Sequence, residues 1–412
     1  MTPISERRQD AAQDQATVAA CDPGPHGRED RLNGGAPGRA WRGRAATHQV
    51  RPRLRRSVDP RITEAGTLYV LRGPDQPDLE LTGPVDLLQR LLTLADGTRT
   101  FDTLADELAP GEAERAELRQ LAEALIVEGV LDDAQEEGAL LPAGEVDRFG
   151  RQLAYFADMA GSAAAAARCQ RRLSEATVCL LGLGGLGSWV AWGLACAGVG
   201  TLVGVDGDEL EVSNLNRQIL FSEADLGKSK ATAAGAALRA FRGGLCYHGL
   251  ERTLDGVDAV RSAIRGTDFV LDSLDSPPHK ITRWVSEACF AEGIPYLALS
   301  QHPPLIRIGP LYVPGETGCY ACQEAKYRRE YPLFRVLEES KQIRPPSATF
   351  GPACGVVGTL AANEVVAWLT GLHPPSCLGN AALLDLRTLS VEREAVEAEP
   401  DCRVCRPAVS RP

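Results

Sequence analysis

The sequence predicts an α/β protein: a mostly parallel sheet covered by helices, preceded by a smaller winged-helix-like domain. Three observations carry this. At residues 182–188 the glycine-rich turn "GLGGLGS" follows an apolar run and leads into a small-residue, helix-like segment. From Arg148 onward, short apolar segments ending in glycine or carboxylate alternate with helical ones. Ahead of them, between about Arg61 and Asp133, two strand-like segments precede three with helical periodicity.

Residues 1–58 are rich in Arg, Gly, Pro, Ala and Asp and lack apolar periodicity, so a disordered basic tail is expected there. Its arginines suit a solvated tail better than a nucleic-acid arm. Residues 59–135 form the next unit. "TLYVLRG" and "DLELTG" read as strands joined through the turn-rich "GPDQP". "VDLLQRLLTL" has helical periodicity and stops at "ADGTRT", and "FDTLADELA" and "RAELRQLAEALIVEGVL" supply two further helices. DNA reading is disfavoured, because "FDTLADELAPGEAERAE" is acidic where a recognition helix needs positive charge.

In residues 136–412, "ATVCLLGLG", "GTLVGVDGD", "DFVLDSLDS" and "IPYLALS" read as strands, with "WVAWGLACAGV" and "KATAAGAALRAF" as helices between the earlier ones. That is a Rossmann-like plan, with ligand chemistry expected at the carboxyl ends of the strands. A chain of 412 residues, 44% hydrophobic, is long enough for more than one core. Its net charge of −11 argues against general binding to nucleic acid or a membrane surface. No run of about 18 apolar residues suggests a membrane span. "MTPISERRQDAAQ" lacks the apolar centre of a secretory signal, so a cytoplasmic location is expected.

Gly182, Gly184 and Gly187 have the G-x-G-x-x-G spacing of a phosphate-binding turn, with Gly185 among them, and Asp206 lies where a ribose-binding acid belongs. That much fits NAD, FAD or ATP. The segment that follows, "VDGDELEVSNLNRQILFSEADLGKSKA", holds Asp208, Asn214, Arg217, Lys228 and Lys230 within one crossover. So many cationic donors point to a polyphosphate, because a dinucleotide's pyrophosphate rests mainly on backbone N–H groups. Asp272 and Asp275 end "FVLDSLD", and a carboxylate facing bound phosphates is what a magnesium ion needs.

Twelve cysteines are many for a reducing compartment. Cys21, Cys169, Cys179, Cys196, Cys246, Cys289, Cys354 and Cys377 are scattered singly, while Cys319/Cys322 and Cys402/Cys405 form two C-x-x-C pairs. Four thiolates suit one structural, tetrahedral Zn2+ with no open position. A redox reading is weaker, on the expectation that neither pair follows a strand and opens a helix.

Together "RFGRQ", "GLGGLGS", "VDGDELEVSNLNRQ", "GKSK", "DSLDS" and the two cysteine pairs, spread over roughly Asp147 to Arg406, resemble the ThiF/MoeB/HesA family, bacterial relatives of ubiquitin-activating enzymes. The resemblance implies ATP- and Mg2+-dependent adenylation of a carboxylate. It implies that Asp206 holds the ATP ribose, that Asn214, Arg217 and Lys230 hold the phosphates, and that Asp275 holds magnesium. Arg151, the second arginine of "RFGRQ", would reach the neighbouring subunit's ATP, which implies a homodimer. Arg151, Arg217, Lys230 and Asp275 are thus the expected catalytic residues. Where the family usually has Asn after the magnesium aspartate, this chain has Ser276. Many members pass the acyl group to a cysteine; Cys354 in "TFGPACGVVG" is the candidate, against the commoner reading of a small buried thiol.

"GPLYVPGETGCYACQ" and "SATFGP" look most like the peptide-adenylating members of the microcin C type, and the N-terminal unit resembles the PqqD-like RiPP recognition elements that hold a leader peptide. These imply a ribosomally made precursor peptide as substrate, with a further modification enzyme as a possible partner. Its leader would add as a strand to the edge of the "TLYVLRG"/"DLELTG" sheet. Two alternatives stand beside this: a sulfur-carrier-protein adenylyltransferase of the MoeB/ThiF type, and a non-catalytic leader-binding scaffold serving a cyclodehydratase. Asn214, Arg217, Lys230 and Asp275 argue against the scaffold, which would not need them.

Overall fold

The computed structural model describes residues 50–64, 67–71, 78–81, 85–339 and 348–406. Most of the expected tail and the "GPDQP" turn lie outside these residues. The last residues of that tail are ordered structure instead. Pro52–Leu54 (β1) pairs antiparallel with Leu131–Asp133, Leu54 opposite Leu131. So short a strand has no local signature; a partner far along the chain creates it.

Asp59–Ile62 (β2), Leu68–Leu71 (β3) and Leu79–Leu81 (β4) form an antiparallel sheet in that order. β2 has no apolar alternation and is defined by its pairing with β3, which makes β3 central. Among the described residues, the edge strands are therefore β2 and β4. Helices follow at Val85–Leu94 (α1), Phe101–Leu108 (α2) and Glu112–Val127 (α3). Thr100 starts α2 by accepting the Thr103 N–H at 3.3 Å. Leu88, Leu91, Leu104, Leu118 and Leu125 pack with Leu68 and Val70 of β3 into a core separate from the rest of the chain.

Leu131–Asp133 (β5) brings the chain back beside β1 and into Ala134–Leu140 (α4), Ala143–Ala160 (α5) and Ala163–Glu175 (α6). A polar clamp fastens the domain there. Arg55, 5% exposed, donates from Nη2 to Asp132 Oδ1 at 3.1 Å and to the Gly161 carbonyl at 2.8 Å. The same Asp132 oxygen accepts the Ala163 N–H at 3.4 Å, which caps the start of α6. Arg53 with Glu137 and Ser57 with Asp158 add outer contacts.

The large sheet then builds in βα units: Thr177–Leu181 (β6), Gly185–Ala197 (α7), Thr201–Val205 (β7), Lys230–Phe241 (α8), Cys246–Leu250 (β8), Val257–Ile264 (α9), Phe269–Asp272 (β9) and Lys280–Glu292 (α10). Tyr296–His302 (β10) and Leu305–Tyr312 (β11) come next, followed by Tyr320–Glu330 (α11), Phe334–Glu339 (α12) and Gly351–Thr370 (α13). Asn380–Asp385 (β12) and Val391–Ala395 (β13) complete it. The strand order is β8-β7-β6-β9-β10, all parallel, then β11-β12-β13, each antiparallel to its neighbour.

Alternation along β6 feeds two cores. Val178 and Leu180 join the face covered by α7, α8 and α13, while Cys179 and Leu181 join the face covered by α9 and α10. By length and composition alone α13 is apolar enough to cross a membrane, which the sequence reading did not anticipate. It packs on α7 as a core helix, and its buried Glu364 accepts Ser376 Oγ at 2.6 Å and the Cys377 N–H at 2.8 Å. Strand order reverses between β6 and β9, and Leu181 pairs with both Val205 and Asp272. Three strands thus end level, side by side, at the switch point where such sheets bind ligands.

Candidate active site

The turn after β6 is shaped by its glycines. Gly182 has φ +93°, in the left-handed region. At Gly187 a Cβ would lie 2.0 Å from the Gly182 carbonyl oxygen, so only glycine lets α7 start this close to the end of β6. No side chain caps α7 at Gly184. Its first-turn N–H groups and positive dipole end are available to an anion. A Cβ on Gly184 would meet only Gln218 Nε2, at 3.9 Å, so the backbone there is open to a ligand.

Asp206 follows β7 and is 8% exposed. Its Oδ2 accepts the Leu183 N–H at 2.8 Å and its Oδ1 accepts the Asp208 N–H at 2.9 Å, bracing the glycine turn. Burial pushes its carboxyl above the ordinary range, against the opposing pull of Lys230 and these N–H groups. One lone pair on each oxygen is left for a ligand hydroxyl. Lys230 opens α8 with its side chain 7% exposed, and its Nζ lies 2.7 Å from Oδ2 of Asp208, whose side chain is 74% exposed. A buried ammonium with an exposed partner is a cation that an incoming phosphate can share.

Asn214 ends a short 3-10 turn, Val212–Asn214, and its Oδ1 accepts the Glu211 N–H at 3.1 Å. Arg217 donates from Nη1 to the Ser213 carbonyl at 2.7 Å, while its own carbonyl accepts Trp189 Nε1 at 3.1 Å. A Cβ on Gly185 would touch the Arg217 side chain at 3.3 Å, which puts this arginine beside the start of α7. Lys228 is placed differently: it is exposed and 2.9 Å from Asp225 in a local pair. Arg151 is exposed on α5 and does not join the group around the glycine turn.

The two aspartates of "DSLDS" also part. Only Asp272 ends β9; Asp275 lies beyond it in an exposed loop position. Asp272 is 3% exposed, accepts the Leu274 N–H at 3.1 Å, and burial lifts its pKa to about 7. Two residues that lie inside quoted motifs, Ser273 in "DSLDS" and Gln218 in "VDGDELEVSNLNRQ", but were not singled out there, also belong here. Ser273 donates from Oγ to the Leu181 and Gly182 carbonyls at 3.0 and 3.2 Å. Gln218 is 3% exposed beside Gly184, and its Oε1 has no hydrogen-bond donor among the described residues. Only adjacency to Arg217 and Asp272 in the sequence hints at either.

Cys354 lies in the first turn of α13, fully buried, with Oε1 of Gln301 at 3.8 Å and the backbone of Gly185 alongside. Burial pushes its thiol up, away from the thiolate that acyl transfer needs. The paired cysteines converge: Cys319, Cys322, Cys402 and Cys405 place all four Sγ atoms within 4.8 Å of one another. Separations of 3.5, 3.5 and 3.8 Å match the edge of about 3.8 Å implied by a tetrahedron with metal–sulfur bonds of about 2.3 Å. The donor set and its spacing fit a soft divalent ion. Cys319 is in fact the N-cap of α11, so one pair does open a helix, contrary to the expectation from sequence. What disfavours a redox pair is the convergence of all four sulfurs on one point.

The uncapped start of α7, the buried Lys230 ammonium beside Asp208 and the Arg217 side chain beside Gly185 thus gather around the glycine turn at the switch point. Donors of these kinds suit a polyphosphate, and an exposed carboxylate such as Asp275 is a hard oxygen donor of the kind a phosphate-bound Mg2+ takes.

The sulfur carrier protein ThiS adenylyltransferase of Escherichia coli (strain K12) is 32% identical over 57% of this chain and 88% of that protein. Adenylyltransferase and sulfurtransferase MOCS3-1 of Zea mays is also 32% identical over 57% of this chain, which spans about half, 48%, of that protein. In fold, the chain is similar to E. coli MccB solved with ATP, with a TM-score of 0.61, 23% identity, and coverage of 86% of this chain and 99% of that one. PaaA gives 0.65 and 22%, over 82% and 98%. The ThiF family profile matches residues 149–404, which include every nucleotide-site residue named above: the chain belongs to the ThiF family, as an ATP-dependent adenylyltransferase.

Proposed function

We propose that this enzyme adenylates a carboxylate of a ribosomally made peptide, which it holds by the leader on its N-terminal domain. One observation carries the reading. A separately cored domain, whose β2 and β4 are edge strands among the described residues, is clamped through buried Arg55 and Asp132 to the adenylation domain. An extended leader can add to such an edge, with main-chain hydrogen bonds supplying affinity. The fold likeness to MccB extends over 86% of the chain, and MccB has been solved with N-formylated MccA.

In this reading the N–H groups of α7, Lys230, Arg217 and Asn214 hold the ATP phosphates and Asp206 the ribose. Asp275 would hold Mg2+, which when bound supplies positive charge to the phosphates. The substrate carboxylate attacks the α-phosphorus and pyrophosphate leaves; Lys230 and Arg217 stabilise the charge that develops. No general base is required, since a carboxylate is ionised at neutral pH. Arg151, exposed on α5, serves the ATP of a second copy in a homodimer. Cys319, Cys322, Cys402 and Cys405 hold a structural Zn2+.

Pyrophosphate exchange tests the reading. The precursor peptide should elicit ATP–pyrophosphate exchange, and deletion of its leader should raise the peptide KM with smaller effect on kcat. Exchange elicited instead by a carrier protein ending in Gly-Gly would replace this reading with a sulfur-carrier adenylyltransferase. That second reading is favoured by the names of the curated relatives.

A further inference from the structure

Ser273 occupies a position that the adenylation chemistry does not itself require. It stands where strand order reverses, directly after β9 and directly before the loop that carries Asp275. Its N–H donates to the Leu181 carbonyl at 3.0 Å, an ordinary ladder bond. Its hydroxyl adds a forked bond to the Leu181 and Gly182 carbonyls, the last of β6 and the first of the glycine turn. A Cβ built on Gly182 would lie 2.8 Å from this oxygen, and one built on Gly187 3.1 Å from it. The hydroxyl therefore fills the notch between the first and last glycines of the turn. Any larger group at 182 or 187 would displace it.

On the other side, Leu274 is tied back to Asp272 through its N–H. The segment from Ser273 to Asp275 is thus fixed at two points, one on the glycine turn and one on β9. We infer that Ser273 is a positioning residue, which sets the separation between the phosphate-holding glycine turn and Asp275 by fastening the two loops together across the switch point. The inference rests on the reading of Asp275 as the magnesium ligand. Without the hydroxyl, the Ser273 N–H still holds the end of β6 at Leu181, but the link to Gly182, the first residue of the turn, is lost. Binding of bare nucleotide by the turn would be little changed, whereas binding that needs turn and carboxylate together would suffer.

The test is equilibrium binding of a non-hydrolysable ATP analogue, by calorimetry, once with excess Mg2+ and once with EDTA. The ratio of the two affinities measures the metal-linked tightening. In Ser273→Ala this ratio should fall roughly three- to tenfold, about what one hydrogen bond contributes, with the EDTA affinity unchanged. Ser273→Cys refills the notch with a weak donor and should fall between alanine and the native protein. In the Asp275→Ala background, Ser273→Ala should change the ratio no further. A native ratio in Ser273→Ala, beside a reduced one in Asp275→Ala, would overturn the inference and leave the magnesium reading intact. A native ratio in Asp275→Ala would overturn that reading first. An equal loss with Mg2+ and with EDTA would reduce Ser273 to a fold-stabilising residue and likewise overturn the inference.

Discussion

Replacing Asp132 by Ala removes the centre of the clamp that joins the N-terminal domain to α5 and α6. Arg55 and Asp132 are 5% and 6% exposed, with 3.1 Å between Nη2 and Oδ1. Without the carboxylate the guanidinium stays buried with, among the described residues, the Gly161 carbonyl as its remaining partner and none at Nε. Breaking one side of a buried ion pair costs about 3–5 kcal/mol. The orphaned Ala163 N–H adds about 1 kcal/mol. The expected loss is therefore about 4–6 kcal/mol, read from urea unfolding followed by circular dichroism. Limited proteolysis should meanwhile release the N-terminal domain faster than from the native protein. Pairing Asp132→Leu with Arg55→Met should recover most of the loss, because a well-packed apolar pair needs no compensation for buried charge. A loss below about 1 kcal/mol in Asp132→Ala would refute the reasoning, since a buried guanidinium cannot lose its partner so lightly. Failure of the double variant to recover would show that the bonds to the Ala163 N–H and the Gly161 carbonyl, rather than the buried charge pair, set the loss.

Lys230→Ala should lower ATP–pyrophosphate exchange by roughly 100-fold or more, while Lys228→Ala should stay within about threefold, because one ammonium is buried at the cleft and the other is solvated beside Asp225. Asp272 makes stability depend on pH. Its pKa near 7 exceeds the unfolded value of about 3.9, so its contribution is complete below about pH 4 and is lost as pH rises through 7. Asp272→Asn should remove that slope and raise stability at pH 8, by at most about 4 kcal/mol, in urea titrations across pH. Zinc analysis should give one ion per chain, and Cys402→Ser should lose it together with several degrees of unfolding midpoint, about what a structural site supplies.

How much of this is legible in the sequence follows from how local each cause is. The β6–turn–α7 unit is readable because its glycines answer a local need, a left-handed φ at Gly182 and close backbone approach at Gly187. The cysteine site is readable because thiolates in two close pairs have few other uses. β1 and β2 are hidden, because "PRL" and "DPRI" become strands only through partners supplied from elsewhere in the chain. Cys319 as an N-cap is hidden as well, since nothing in "GETGCYAC" fixes where α11 begins. Among the charges, sequence order separates neither Lys228 from Lys230 nor Asp272 from Asp275. Burial separates them: Lys230 and Asp272 are inside, Lys228 and Asp275 outside. Ser273 lies inside "DSLDS", yet nothing in that motif sets it apart from Ser276; its forked bond comes from the crossing of two loops joined to different strands.

The ribbon of β1 and β5 gives the molecule a socket. Because Leu54 and Leu131 face each other across that ribbon, the chain enters and leaves the N-terminal domain at one spot. The described residues between Arg56 and Val130 are anchored at that doorway by Arg55 and Asp132 as its bolt, with Ser57 adding its contact to Asp158. A different binding unit whose own ends lie side by side could be plugged in at the same place without rerouting the adenylation domain. Choice of what is held and chemistry done on it are, in this architecture, separable parts.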